Sequence, residues 1–314
     1  MQKFSRRKSI IRTIFPQRLG CQARSITSKP HHEKRKSCYP SLSYHWGINA
    51  PSSIQLMKAA EFFQRSSSKF LWSTENFKDM PFGDDFGERP EVCFLGRSNV
   101  GKSTLLNTLL CQRLAFTSSK PGRTKLMSAF AVDSTKAIDK KKDKLIFLDV
   151  PGYGKGGRAD IGHQVIKYLN KRRQLKRVFL LVDTEHGMKN SDKQMLNLCK
   201  QINVPFQVLL SKVDKVITST ITEETSKSGR LGEIIDQVKD AIGNESIENG
   251  LAFGEIIPFS STKWMFGRRL GINEVRHAVL RAVGFEYQEA RHRLNPEDII
   301  TYDQLFPSES HNDE

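Results

Sequence analysis

Eight consecutive residues, Gly96-Arg97-Ser98-Asn99-Val100-Gly101-Lys102-Ser103, fit the spacing GxxxxGK[ST], and each residue type answers a need of phosphate chemistry. Gly96 and Gly101 let bare backbone N–H groups turn towards phosphate oxygens at a helix N-terminus. Lys102 adds a point charge on the outer phosphates, and the Ser103 hydroxyl is a Mg²⁺ ligand. Two acids stand further along in comparable settings. Asp149 ends the apolar run Leu145-Ile146-Phe147-Leu148 and precedes Val150-Pro151-Gly152, so it lies at a strand's carboxyl end, where open α/β sheets bind ligands and where it orders the Mg²⁺ shell. Asp214 closes Ser211-Lys212-Val213-Asp214 after the apolar run Pro205 to Leu210. An ionised carboxylate only accepts, so Asp214 pairs with the N1–H and exocyclic amine of guanine, whereas adenine offers no such donor pair and would strand it. The alkyl stem of Lys212 packs along the purine ring. GTP is favoured over ATP on these grounds.

These groups need a scaffold that brings strand ends together, and the apolar patterning supplies one. Val92 to Leu95 reads as a buried strand feeding the glycine loop, and Thr104 to Leu110 as the helix that follows, ending near Cys111. Thr117 to Thr124 has Gly, Pro and hydroxyl residues in loop proportions and is placed to close over a nucleotide. Leu126 to Val132 alternates as a strand, and Lys136 to Lys144 is a charged hairpin connection. Ile161 to Leu175 reads as a helix, and the cations crowding its end, Lys171, Arg172, Arg173, Lys176 and Arg177, read as a solvated cap favoured by the helix dipole. Strands at Arg177 to Val182 and Pro205 to Leu210 flank a helix over Ser191 to Gln201. Arg230 to Ile242 is a further helix, Glu255 to Ser261 a last strand whose hydroxyls suit a base pocket, and Ile272 to Val283 a closing helix. The fold expected is therefore α/β, a mostly parallel six-stranded sheet with helices on both faces, flanked by disordered tails.

The chain has 314 residues and a net charge of +16, which invites a nucleic-acid reading until the charge is located. Residues 1–36 hold eleven Lys or Arg against Glu33 alone, a net +10, which leaves +6 for the rest of the chain. The stretch from Met1 to His32 contains no acid and carries a partly amphipathic stripe of Phe4, Ile11, Ile14 and Phe15, the pattern of a mitochondrial transit peptide. A basic arm that touches RNA is the alternative reading of the same segment. Residues 37–69 are expected to be linker apart from a short helical candidate at Ile54 to Gln64, residues 70–285 the folded domain with a flexible insertion at 218–229, and residues 286–314 a polar, acidic tail. Five cysteines without a CxxC pair suggest a reducing compartment and no metal cluster. The longest apolar run, Val178 to Val182, is far short of the roughly 20 residues of a membrane span.

The motifs GRSNVGKS, PGRTK, DVPGYG and SKVD, with a terminal FSS, stand in fixed order on one strand-helix alternation. Together they resemble the EngB (YihA) family of Era/TrmE-related P-loop GTPases over roughly Lys69 to Gly284, and with this N-terminus its fungal mitochondrial members. The resemblance implies roles the residues alone do not show. Thr124 is then the switch threonine on Mg²⁺, Ser260 and Ser261 contact the guanine through their backbone with Phe259 beside them, and Asn99 holds a potassium ion. The implied nucleotide contacts run from Gly96 through Thr104, and then take in Gly122, Arg123, Thr124, Lys125 and Leu126. They continue with Asp149, Val150, Pro151 and Gly152, and end with Ser211, Lys212, Val213 and Asp214. Lys102, Thr124 and Gly152 are the implied catalytic set, and GTP or GDP, Mg²⁺ and K⁺ the implied ligands. Ser211 departs from the Asn or Thr common at that position.

Tyr153 follows Gly152 and lacks the means to orient water as the Gln of Ras-like proteins does, so slow intrinsic hydrolysis is expected, with a cation or a partner completing the site. Arg123 and Arg158 read as solvated loop arginines rather than arginine fingers. The implied function is a GTP-driven switch in the mitochondrial matrix, bound to the mitochondrial ribosome, its large-subunit precursor or ribosomal RNA. Two alternatives are an RNA-binding module in which the nucleotide is structural, and a small-molecule kinase, against which the guanine reader Asp214 speaks.

Overall fold

The computed structural model describes residues 42–81, 89–116, 126–134, 144–153, 159–217, 229–265 and 268–285. The chain opens with a two-residue strand β1 (Tyr44–His45), helix α1 (Ser53–Arg65) and strand β2 (Ser67–Thr74). The nucleotide motifs then ride on β3 (Glu91–Gly96), α2 (Lys102–Leu109), β4 (Met127–Asp133), β5 (Lys144–Asp149), α3 (Ala159–Lys171), β6 (Leu175–Asp183), α4 (Asn190–Gln201), β7 (Phe206–Ser211) and the short α5 (Asp214–Ile217). Helices α6 (Arg230–Ile242) and α7 (Asn244–Glu248), strand β8 (Glu255–Pro258), a small hairpin of β9 (Trp264–Met265) and β10 (Arg268–Arg269), and α8 (Ile272–Ala282) complete it.

The sheet has eight strands in the order β1-β8-β7-β6-β3-β5-β4-β2. Its centre is parallel, with β3 between β5 and β6, while β4, β2 and β1 run antiparallel to their neighbours. The six expected strands are all present, and the expectation of six is corrected to eight by the two edge strands, β1 and β2. Both faces are covered because the middle of each central strand is apolar on both sides: Phe94 and Phe147 pack with α1, α2 and α8, while Cys93, Leu95 and Leu148 pack with α3, α4 and α6. A run apolar throughout, rather than alternating, marks a strand sandwiched between helical layers.

Reading residues 37–69 as linker is also corrected. Helix α1 starts in a capping box, Gln55 N–H donating to Ser52 Oγ (3.2 Å) and Ser52 N–H to Gln55 Oε1 (2.8 Å). It buries Ala59, Phe62 and Phe63 against the sheet and α8. Each buried Phe contributes about 1.5–3 kcal/mol, enough to make this segment part of the domain.

The basic cluster after α3 is the third correction, because its members have opposite fates. Arg172 is only 6% exposed and forms a two-pronged pair with the buried Glu91 at the start of β3, Nε to Oε2 at 3.0 Å and Nη2 to Oε1 at 2.6 Å. Tyr168 Oη donates to the same carboxylate (3.0 Å), and Arg172 Nη1 donates to Pro81 O (3.0 Å). Arg177 is half-buried, its guanidinium 4.3 Å from the centre of the Phe253 ring, whereas Lys171, Arg173 and Lys176 are exposed. A buried charge needs its partner, so Glu91→Gln is expected to lower stability by about 2 kcal/mol, measurable as a shift in the urea midpoint without a change in slope. An unchanged midpoint would show that the pair contributes no net stability. The Lys136 to Lys144 connection (all but Lys144), the 218–229 insertion (all but Gly229), and the N- and C-terminal tails lie outside the described residues.

Candidate functional site

The glycine loop leaves β3 where that strand lies beside β6, Gly96 pairing with Leu181. A Cβ on Gly96 would stand 2.7 Å from Val100 Cγ1 and 3.0 Å from Leu181 O, so only glycine lets the chain turn there. Asn99 (φ 64°) and Gly101 (φ 104°) take left-handed conformations that curl the loop before α2 begins at Lys102. Lys102 Nζ folds across this curl and donates to Gly96 O (3.0 Å) and Arg97 O (3.3 Å). Burial lowers the pKa of its ammonium, and the nearby Asp149 charge works the other way. The two carbonyls thus hold the ammonium against the curl of the loop.

Ser103 in the first turn of α2 donates to Asp149 Oδ2 at the end of β5 (2.7 Å). Asp149 Oδ1 is buried and has no hydrogen-bond partner. Burial raises the pKa of this carboxylate, while Lys102 and the Ser103 bond oppose the rise. A hydroxyl and a carboxylate with an unsatisfied buried oxygen form a hard oxygen donor set, which fits Mg²⁺ with Asp149 close behind Ser103.

After Asp149 the backbone crosses the glycine loop. Ser98 N–H donates to Tyr153 O (3.2 Å) and Tyr153 N–H to Gly96 O (3.4 Å). A Cβ on Gly152 would lie 2.6 Å from Ser98 N and 2.7 Å from Ser98 Cα, so Gly152 is in direct contact with the phosphate loop. One residue absent from the sequence expectations joins them: Asp192, fully buried at the start of α4. Its Oδ1 accepts from Tyr153 Oη (2.8 Å) and its Oδ2 from Lys189 N–H (2.9 Å). Arg97 Nε lies 3.2 Å from Oδ2, an ion-pair contact at an angle outside hydrogen-bond geometry, and Arg97 Nη2 donates to Gly187 O (3.4 Å). Burial first, then the charge of Asp192 and its hydrogen bond, push the Tyr153 phenol well above its ordinary pKa, so it stays a donor at neutral pH.

The base-reading side is built from β7 and β8. Lys212 (φ 58°) turns the chain sharply out of β7 and into α5, where Asp214 sits at the first position. Val213 N–H donates to Phe259 O (3.2 Å) and Phe259 N–H to Leu210 O (2.8 Å), tying the two base loops together. Ser211 is also held: its carbonyl accepts from Thr184 N–H (3.0 Å) and Oγ1 (2.8 Å), and its hydroxyl donates to Val182 O (3.3 Å). Lys212 Nζ pairs with Asp183 Oδ2 (2.8 Å), which fixes the course of its stem. Burial works to raise the Asp183 pKa, but the Lys212 bond and charge outweigh it and leave the carboxyl lowered. Ser260 N–H donates to Leu270 O (3.0 Å), and the neighbouring Ser261 presents a buried hydroxyl without a hydrogen-bond partner.

The structure therefore brings the loop from Gly96 to Ser103, with Thr104 behind it, together with Asp149, Val150, Pro151 and Gly152 around one set of strand ends. Ser211 to Asp214 and Phe259 to Ser261 meet at the ends of β7 and β8. Gly122, Arg123, Thr124 and Lys125 lie outside the described residues, as does Arg158. Leu126, just before β4, is partly exposed.

Comparison with known proteins converges on the same elements. Residues 91–212 match a family model described as 50S ribosome-binding GTPase. EngB, a GTP-binding protein of Bartonella bacilliformis, is 34% identical over 200 residues, covering 62% of this chain and 84% of the relative. EngB of Streptococcus pyogenes is 32% identical over 233 residues, covering 72% of this chain and all of the relative. Among solved structures, Aquifex aeolicus Era bound to GDP and AlF4⁻ aligns at 25% identity with a TM-score of 0.45, covering 67% of this chain and 60% of Era. Because the likeness to the two EngB proteins exceeds 30% identity and covers 84% of one and all of the other, the chain belongs to the EngB family of P-loop GTPases.

Proposed function

We propose that this GTPase is a switch in the mitochondrial matrix that acts on the mitochondrial ribosome, during large-subunit assembly or translation. The observation that carries the switch is the direct seat of Gly152 on Ser98, which ties the loop that reads the terminal phosphate to the loop that holds the others. The family model's description as a 50S ribosome-binding GTPase supports the ribosomal partner. The acid-free, basic stretch from Met1 to His32 supports import into mitochondria.

Within the proposed cycle, Lys102 and the loop N–H groups bind the phosphates, Ser103 and Thr124 hold Mg²⁺ with Asp149 orienting them, and Asp214 selects guanine. Bound Mg²⁺ neutralises charge developing on the phosphate oxygens. Tyr153, its hydroxyl committed to Asp192, does not activate water, and this underlies slow intrinsic turnover. Asn99, curled at φ 64° within the loop, is the proposed seat of a potassium ion that supplies part of the missing charge. Exchange of K⁺ for Na⁺ is expected to lower GTP turnover several-fold; equal rates in both salts would remove the potassium role. Sedimentation of mitochondrial extract with GDP or a non-hydrolysable GTP analogue tests the partner. Co-migration with large-subunit particles in the GTP form alone is expected, and absence from ribosomal fractions in both states would overturn the proposed function.

A further inference from the structure

Beside the guanine-reading loop lies an open groove of about 1010 Å³ that meets the nucleotide residues only at Thr104 and Ser261 and runs away from them over residues the nucleotide chemistry does not use. Its floor and walls come from the end of α1, the back of α2, the β9–β10 hairpin and the first turns of α8. Four arginines line it, Arg113, Arg268, Arg269 and Arg276, and among the described residues no carboxylate does. Glu274 stands 3.8 Å from Arg268 but is itself buried and off the lining. Nε of Arg268, Arg269 and Arg276 is buried in each case without a hydrogen-bond partner. Arg276 is 6% exposed and spends its Nη2 on Thr108 O, Leu109 O and Cys111 Sγ, so it anchors the wall.

On the rim stands Trp264, 67% exposed, an unusual position for the largest apolar side chain. The hairpin register sets Arg269 opposite Trp264, and its guanidinium lies 5.6 Å from the indole centroid. An indole held on a short hairpin with an arginine at one side presents a flat surface to a planar ring. A basic trough with an exposed aromatic platform is the chemistry of single-stranded nucleic acid recognition, in which phosphates track the cations and a base stacks on the ring. A partner protein of acidic character would satisfy the arginines but would leave the exposed indole unexplained, and a duplex has no splayed base to offer it.

We infer that this groove binds a single-stranded RNA segment, its phosphates on Arg113, Arg268 and Arg269 and one base stacked on Trp264. The inference rests on the ribosomal reading above and names the part of the partner that this face takes. Since Ser261 of the guanine loop is also on the wall, RNA here would sit against the nucleotide site itself.

The test uses the full chain, loaded with GDP, and a fluorescein-labelled 12-nucleotide oligouridine followed by anisotropy at about 150 mM salt. Trp264→Ala and the pair Arg268→Glu/Arg269→Glu are each expected to weaken binding by about tenfold or more, since stacking and phosphate contacts of this kind carry such effects. Trp264→Phe is expected to retain most of the affinity. Affinity for a fluorescent GDP must stay unchanged in every variant, which separates loss of the groove from loss of the fold. A second readout is local: unlabelled oligouridine is expected to quench tryptophan emission in the natural chain but not in Trp264→Phe, a signal that RNA held by the basic N-terminal residues does not produce. Equal RNA affinity across the variants, no Trp264-dependent quenching, or capture of an acidic peptide in preference to RNA would overturn the inference. Retained ribosome co-sedimentation with RNA binding indifferent to Trp264 would sink this site alone. Intact groove binding without ribosome association would sink the ribosomal reading alone.

Discussion

Replacing Asp214 by Asn is expected to lower affinity for GDP and GTP by about 10²- to 10⁴-fold while raising affinity for xanthosine nucleotides. Two hydrogen bonds from guanine N1–H and its amine to an ionised acceptor are each worth about 1.5–3 kcal/mol, and both depend on a group that only accepts. Asn presents one acceptor and one donor instead. The donor then faces the guanine amine and clashes with it electrostatically, whereas xanthine carries a carbonyl at that position and accepts from it. The backbone around the site should not move, because Lys212 already turns at φ 58°, Val213 N–H is tied to Phe259 O, and Ser211 is held by Thr184. The change therefore acts on the base alone. Competition of unlabelled GDP and XDP against a fluorescent GDP analogue measures both effects. An Asp214→Asn protein that binds GDP as well as the natural chain would show that Asp214 does not read the base.

Why is so much of this site legible in the residues? The glycine loop, Asp149 and Asp214 are each short, local and ordered along strand ends, so motif and patterning find them together. The six strands are legible because each is largely apolar. The edge strands are not. β1 is two residues long, and β2 reads Ser-Ser-Lys-Phe-Leu-Trp-Ser-Thr, a half-exposed antiparallel edge whose apolar residues are outnumbered by polar ones. Helix α1 is visible in outline, but its polar surroundings conceal that Phe62 and Phe63 reach the core.

The basic cluster misleads for a different reason. Five cations at a helix end look alike in sequence, and only the position of Glu91, 81 residues away from Arg172, separates the buried one from its neighbours. Long-range pairs of this kind leave no local pattern. Asp192 is hidden in the same way. An Asp in the first turn of a helix is what the dipole favours, and nothing in Asn190-Ser191-Asp192 announces contact with Tyr153 and Arg97 across the fold.

That buried acid carries the other large expectation. Asp192→Ala is expected to cost about 3 kcal/mol of stability, because it removes a fully buried carboxylate and leaves the Tyr153 hydroxyl and the Lys189 N–H without their acceptor and Arg97 without its ion-pair partner. Tyr153→Phe removes one hydrogen bond to the same carboxylate and should cost about 1.5–3 kcal/mol. The double change is expected to cost less than the sum by about 1 kcal/mol or more, since each single change already breaks the shared contact. Urea unfolding of the four proteins gives this coupling directly. Function should follow the same geometry. Tyr153 hangs from Asp192 and in turn hydrogen-bonds Ser98 and Gly96, so freeing its ring loosens Gly152 against the phosphate loop while leaving the base loops untouched. GTP turnover in Tyr153→Phe is therefore expected to fall about tenfold, roughly 1.4 kcal/mol in barrier, with GDP affinity within about twofold of the natural chain. Additive stability losses would show that Asp192 holds Arg97 and Tyr153 independently. Unchanged turnover would show that the contact steadies the fold without setting the position of Gly152. The two phosphate loops are already joined through their backbones at Ser98, Gly152 and Tyr153, and the Asp192 carboxylate, outside every motif, adds the side-chain contacts to Tyr153 and Arg97 that brace this junction.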